Sequence, residues 1–266
     1  MAQTAILIIF GAVCLCFAFS FASLSLQHHK KTSNIFLATG VIWCIAGLCL
    51  QLSLPDFYDF ITAMYLWEFP TLLILSGIIY FSTQKFNNIY KTALVIFILA
   101  ELGSMAFPSS AVFVSDSLPF WADRLIIISL WTIYALSFQI LTKVEGISGN
   151  HALTVFTGIA VLPFIGGAPI LLGAIAACGI AVFAAWQIYN TYPAKLNITP
   201  ASSYALGFIL AWFCLKTASE GALSCTLVLN SLFFYEVLIA VLRKLSLRPN
   251  YQNITQNTDF YQAGLD

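Results

Sequence analysis

Glu68, Glu101 and Glu236 each stand inside a run of apolar residues. A carboxylate in hydrocarbon is costly. Such acids mark a proton, ion or substrate path, or they are neutral carboxyls hydrogen-bonded within a bundle. With a helical rise of about 1.5 Å per residue, Glu236 lies about 9 Å from one end of its run, Glu101 about 15 Å deep and Glu68 about 20 Å. Glu68 precedes Phe69-Pro70, where the ring and the missing N–H would kink a helix.

A second set is Gln139, Thr142, Glu145 and Ser148, polar residues at every third position, with Lys143 among them. This spacing puts them along one side of a helix end that breaks at Gly146 and Gly149. A polar ladder entering an apolar bundle suits a headgroup, a phosphate or a sugar. An ordinary helix end with a glycine cap has the same residues. The third set runs from Tyr189-Asn190 through Pro193-Ala194-Lys195 to Ser202-Ser203. Serines at a helix N-terminus beside a lysine favour an anion, and they also make a plain N-cap. The sequence has no Walker motif, GxGxxG, HExxH or GxSxG.

The elements that carry these sets are set by composition. Of 266 residues, 60% are apolar and 8% charged. Eleven bases and eleven acids cannot cover a globule of 29 kDa. A soluble fold and a disordered chain are both excluded, which leaves an integral membrane protein. The balanced charge offers no basic surface for nucleic acid. The seven cysteines lie in apolar stretches without a CxxC pair and read as small buried hydrophobes. No basic segment precedes the first apolar run, so neither a lipobox at Cys16 nor a cleaved signal peptide is expected.

Nine runs could cross a bilayer: 5–26, 34–54, 60–82, 92–107, 124–142, 151–166, 169–189, 203–216 and 222–242. They are apolar all round, which argues for helices rather than barrel strands. Alternating the loops puts nine basic residues on one side (Lys30, Lys31, Lys85, Lys91, Lys143, Lys195, Arg243, Lys244 and Arg248) and two, Arg124 and Lys216, on the other. The positive-inside rule makes the first side cytoplasmic. The expectation is an all-α polytopic protein, 1–266 as one integral membrane domain, with the N-terminus outside and a short cytoplasmic tail at 243–266. Asp56, Asp59, Asp116, Asp123 and Glu220 read as solvated charges in outer loops.

In this order and on this face, the segments resemble the polyprenyl-phosphate N-acetylhexosamine-1-phosphate transferases of cell-envelope glycan synthesis. The family's N-x-x-N-x-x-D-G-x-D-G is similar to Gln139, Thr142, Glu145-Gly146 and Ser148-Gly149. Its N-x-x-P-A-[KR] matches Asn190, Pro193, Ala194 and Lys195. Its G-D-x-G-S-x-x-L-G-F falls on Thr199 to Ser203 and Leu206-Gly207-Phe208. Its F-D-x₆-R-R resembles Tyr235-Glu236 with Arg243-Lys244. The similarity covers about residues 70–266. It implies a multi-pass protein of the bacterial inner membrane. Glu145 and Glu236 would be its catalytic acids. Gln139, Thr142, Lys143, Ser148, Asn190, Lys195, Ser203, Arg243 and Lys244 would bind substrate, and all would meet in one cytoplasmic cleft.

The departures fall on the acids and histidines. The family's paired aspartates fall near Tyr80 and Phe81, its magnesium-site aspartate on Pro200 and its histidine run near Thr255 to Thr258. Mg²⁺ wants several oxygens in octahedral geometry, so no metal site is assigned here. The expected function is that of a catalytically impaired or inactive relative that binds a lipid carrier or a partner. One alternative is an active transferase from UDP-sugar to polyprenyl phosphate, using Mg²⁺. Another is a transporter built on Glu68, Glu101 and Glu236. Membrane lipids are the expected partners, with homo- or hetero-oligomers open.

Overall fold

The computed structural model describes the chain apart from residue 1 and segments 31–34, 54–59, 86–87, 106–118, 143–145, 197 and 247–266. The described residues form helices and no strand. These are α1 (Ala2–Lys30), α2 (Ile35–Ser53), α3 (Phe60–Thr83), α4 (Ile89–Ser104), α5 (Phe120–Leu141), α6 (Ile147–Val161), α7 (Ile170–Asn190), α8 (Pro200–Thr217), α9 (Leu223–Leu229) and α10 (Ser231–Ser246). Of the expected tail at 243–266, residues 243–246 continue α10 and 247–266 lie outside the described residues.

Among the described residues, five stretches are long and apolar enough to cross a membrane: Ile6–Gln27, Phe120–Leu141, Ile147–Ile165, Ile170–Asn190 and Pro200–Leu229. Their outward faces are apolar too. Phe10, Leu26, Leu130, Ile165 and Ile188 are exposed. In water such a surface would drive aggregation, whereas lipid solvates it.

The stretch Pro200–Leu229 is not one straight rod. Ala218–Ala222 is a turn of π-helix, and Gly221 takes φ 94°. Only glycine adopts that backbone without strain. The hydroxyl of Thr226 approaches the carbonyl of Cys214 at 3.4 Å, and Asn230 Nδ2 donates to Cys214 Sγ at 3.2 Å. In a continuous helix those positions would lie roughly 18 and 24 Å apart, so the chain doubles back. The helix after this turn bends again at Asn230, within the expected run 222–242.

α8 is the centre of the bundle. Every residue from Ala201 to Cys214 is buried. A helix that is apolar all round belongs in such a position. Its middle lies against α5, where Trp131 Nε1 donates to the Phe208 carbonyl at 2.9 Å and the two rings stack at 4.6 Å. Gly207 makes the approach possible, since a Cβ there would meet Phe138 at 2.6 Å and the Ala135 backbone at 3.1 Å. Small residues at a helix crossing commonly serve this purpose in membranes. Trp43, Phe69, Phe156 and Phe213 form an aromatic cluster joining α2, α3, α6 and α8. Trp43 Nε1 finds the Ile175 carbonyl of α7 at 3.0 Å. The described cysteines are free, with Cys16, Cys178 and Cys214 buried.

Candidate functional site

The ends of α5 and α7 and the starts of α6 and α8 meet at one pole. α5 ends at Leu141, and Thr142 follows as its cap. Gly146, at φ 80°, then starts α6 directly. The expected ladder on a single helix is therefore wrong. Gln139 and Thr142 belong to the end of α5, while Ser148 and Gly149 sit in the first turn of α6, with no break at Gly149. Gly149 is small for another reason, because its absent Cβ leaves the space that Trp186 and Gln187 of α7 occupy.

Hydrogen bonds tie the four helices together here. Ser203 donates to the Thr142 hydroxyl at 2.9 Å, and Tyr204 donates to Gln139 Oε1. Gln187 Nε2 donates to the Gly146 carbonyl at 3.0 Å and to Asn150 Oδ1 at 2.9 Å. With its amide oriented to satisfy both polar atoms, Asn190 donates to the Leu196 carbonyl and accepts from Gly146 N–H, each at 3.2 Å. The first turn of α8 is capped by Thr199, whose hydroxyl accepts from Ser202 N–H at 3.2 Å, with Pro200 at the first helical position. This corrects the expected serine cap. Ser202 and Ser203 are fully buried.

Gln139 and Thr142 are thus bonded to Tyr204 and Ser203 of α8, and Asn190 to Gly146 at the start of α6. Ser148 is buried nearby in α6. Lys195 is exposed on the α7–α8 connection, its backbone N–H bonded to the Tyr189 carbonyl at 2.8 Å. Glu236 is half-buried on α10, one turn beyond Phe233. Lys143 and Glu145 lie outside the described residues, as do the side chains of Arg243 and Lys244. The shared cleft expected for Glu145 and Glu236 therefore falls partly outside them. The donors at this pole do not fit magnesium. The described ones are amides and hydroxyls already bonded to one another, and Pro200 begins a helix where the family carries an acid. Tyr80 is buried and Phe81 exposed, without a carboxylate between them. Among the described residues no three His, Cys, Asp or Glu side chains gather to hold a metal.

The three acids of the apolar runs do not meet. Glu68 is buried and paired with Lys216, whose Nζ lies 3.1 Å from Oε2 and 3.3 Å from Oε1. Lys216 also faces Glu220 at 3.8 Å. Glu101 is exposed near the end of α4. The loop count places Arg124 and Lys216 in outer loops and takes Asp123 as a solvated loop charge, but all three are buried helix residues. Glu220 is exposed, as expected, while Asp56, Asp59 and Asp116 lie outside the described residues. Hydropathy ended those runs too early, because a charge with a buried partner lies inside a helix bundle as readily as at its rim. The signal available was a lone acid and a lone base in separate apolar runs.

A second network escaped the sequence reading. The Tyr134 hydroxyl lies 2.7 Å from His151 Nε2 and donates to Asn230 Oδ1 at 2.9 Å. Its single hydrogen is thereby used, so His151 donates from Nε2. Asn230 Nδ2 passes to Cys214 Sγ and the Thr226 carbonyl. Phe233 stacks on His151 at 4.9 Å and on Tyr134 at 4.4 Å. The network pins the bend between α9 and α10 against α5, α6 and α8. Asn230, a single amide in an apolar run, was its only visible mark.

Fold and site together define, among the described residues, an all-helical protein with several helices able to cross a membrane and a polar pole whose hydrogen-bonded side chains are neutral. No protein-family model matches the chain, and no curated protein matches it.

Proposed function

We propose that this chain is a catalytically silent membrane relative of the polyprenyl-phosphate sugar-1-phosphate transferases. In this reading it resides in a bacterial cytoplasmic membrane, crosses it nine times with the N-terminus outside, and holds polyprenyl phosphate at its polar pole for itself or for a partner enzyme. One observation carries the reading. The segments that resemble the family's motifs are joined through Thr142–Ser203, Gln139–Tyr204 and Asn190–Gly146, while Ser148, Pro200, Tyr80 and Phe81 stand where the family carries acids. The nine-to-two division of basic residues supports the orientation. Lys143, Lys195, Arg243 and Lys244 flank the pole in sequence and would attract a phosphate at the membrane face.

The chemistry follows from charge. A nucleotide pyrophosphate and a lipid phosphate repel each other. Lysines and arginines can hold either one, but they do not bridge attacking and leaving oxygens as a metal does. Binding without turnover is the outcome. The test is binding of polyprenyl phosphate, against polyprenol, to the purified full chain in nanodiscs. Phosphate-dependent binding that weakens about tenfold in a Lys143→Glu/Lys195→Glu variant supports the reading, a tenfold change being about 1.4 kcal/mol. Equal binding of the alcohol contradicts it.

A further inference from the structure

The turn between α3 and α4 lies at the polar pole. Glu68 of α3 meets Lys216 near the end of α8, so α3 ends where α8 begins. Arg124 at the start of α5 donates to the Ser104 carbonyl at the end of α4, so α4 begins where α5 ends. Lys85 follows the last turn of α3, its backbone N–H bonded to the Ser82 carbonyl at 3.1 Å. Lys91 is the third residue of α4. Asn88 caps that helix by accepting from the Tyr90 N–H at 2.8 Å, which fixes Lys91 in the first turn. Both lysines are exposed, and neither side chain has a hydrogen bond or ion pair among the described residues. Ile89 and Tyr90 beside them are exposed at 58% and 81%.

No described acid balances this pair. α2 and α8 carry none. The single acids of α3, α4 and α5 are Glu68, Glu101 and Asp123, each roughly 18 Å or more along its helix from this pole. Glu220 sits beside Lys216, and Glu236 belongs to α10, which packs against α5. Lys91 also stands where a helix dipole disfavours a cation, and the first turn of α4 has no acid to offset it.

We propose that this turn binds the headgroup of an anionic phospholipid, its phosphate held by Lys85 and Lys91 and an acyl chain lying along α4. Charge complementarity selects the occupant. A headgroup with a net negative charge meets two unpaired cations, whereas a zwitterionic one brings its own ammonium to them. The helix face agrees with this. Lys91, Leu94 and Ile98 follow at i, i+3 and i+7 on one side of α4, with Leu94 and Ile98 exposed at 61% and 50%, so an apolar track runs into the membrane from the lysine. Exposed Tyr90 is of the type that membrane interfaces favour. The site is separate from the polyprenyl phosphate reading, which rests on Lys143 and Lys195.

The experiment is photocrosslinking of the full chain, with Tyr90 replaced by p-benzoylphenylalanine, in nanodiscs of equal phosphatidylglycerol and phosphatidylcholine, the adducts identified by mass. A lysine near a membrane surface is worth about fivefold toward an anionic lipid, so phosphatidylglycerol adducts should lead by roughly twentyfold. Lys85→Gln or Lys91→Gln should each lower that lead to about fivefold, and the double variant should bring it near parity, with the melting temperature unchanged at these exposed positions. Salt at about 1 M, where the screening length is about 3 Å, should shrink the lead without any substitution. Equal adducts of the two lipids in the starting protein overturn the proposal, as does a lead that survives both high salt and the double variant. A lead abolished instead by Lys143→Glu/Lys195→Glu would place the lipid at the other site and also overturn it.

Discussion

The two ends of α8 are equally buried but are built from different chemistry. At the N-terminal end Ser202, Ser203 and Tyr204 enter the bundle without a formal charge, each bonded to a neighbouring hydroxyl or amide. At the C-terminal end Lys216 enters as a cation and meets Glu68, with Glu220 a turn away. A neutral network loses one modest bond when one member is removed. An ion pair losing one member leaves an uncompensated charge in a medium that solvates it poorly. Helix position is thus enforced strongly at one end and lightly at the other. The lightly held end is the one that carries the transferase-like segments.

The largest effect should come from the ionic end. Lys216→Met should cost about 3–5 kcal/mol of stability, because it strands the Glu68 carboxylate. Thermal unfolding in detergent reads the loss. Joining Glu68→Leu to it should restore most of the stability, since apolar pairs often replace buried ion pairs without cost. A harmless single substitution would break the comparison.

Next comes the middle of α8. Gly207→Ala forces a Cβ against Phe138 and the Ala135 backbone. Overpacking of this kind costs about 1–3 kcal/mol. Retention of the full melting temperature would show that α5 and α8 can separate, weakening the case that α8 is pinned between its two ends.

The smallest effect belongs to the neutral end. Ser203→Ala should cost about 1 kcal/mol, the net worth of one hydrogen bond. Adding Thr142→Ala should then cost less than it does alone, because the two hydroxyls share that bond. Full additivity, measured by a double-mutant cycle, would show that the pair does not join α5 to α8.

Much of this architecture was legible from apolar run length. The runs at 60–82, 169–189 and 203–216 anticipate α3, α7 and α8 to within a few residues. Their ends were harder to read. α6 begins at Ile147 rather than 151, since its first turn is Ile-Ser-Gly-Asn and hydropathy counts that turn as loop. Lys216 and Arg124 failed for the same reason, as a buried charge is tolerated through a partner that lies far away in the chain. Glu68 and Lys216 are 148 residues apart. The polar pole was legible only in part. Spacing marked Gln139 and Thr142, but Gly146 in a left-handed turn starts a second helix where periodicity continued the first. The Asn190 contact with Gly146 follows from no local pattern. Tyr134, His151 and Asn230 are ordinary residues one by one, and only the bend of α9 on α10 brings them together.

The central claim is that the neutral pole binds without catalysing. Loss of one electrostatic contributor commonly lowers a rate by about 10²–10³, and Ser148, Pro200, Tyr80 and Phe81 stand where the resembled family carries acids. The direct measurement is Mg²⁺-dependent formation of polyprenyl-pyrophosphoryl sugar from UDP-sugar and polyprenyl phosphate by the purified chain, with Glu145→Gln beside it. The account predicts product at background for both proteins. Sustained turnover that Glu145→Gln abolishes would contradict it and make the chain an active transferase.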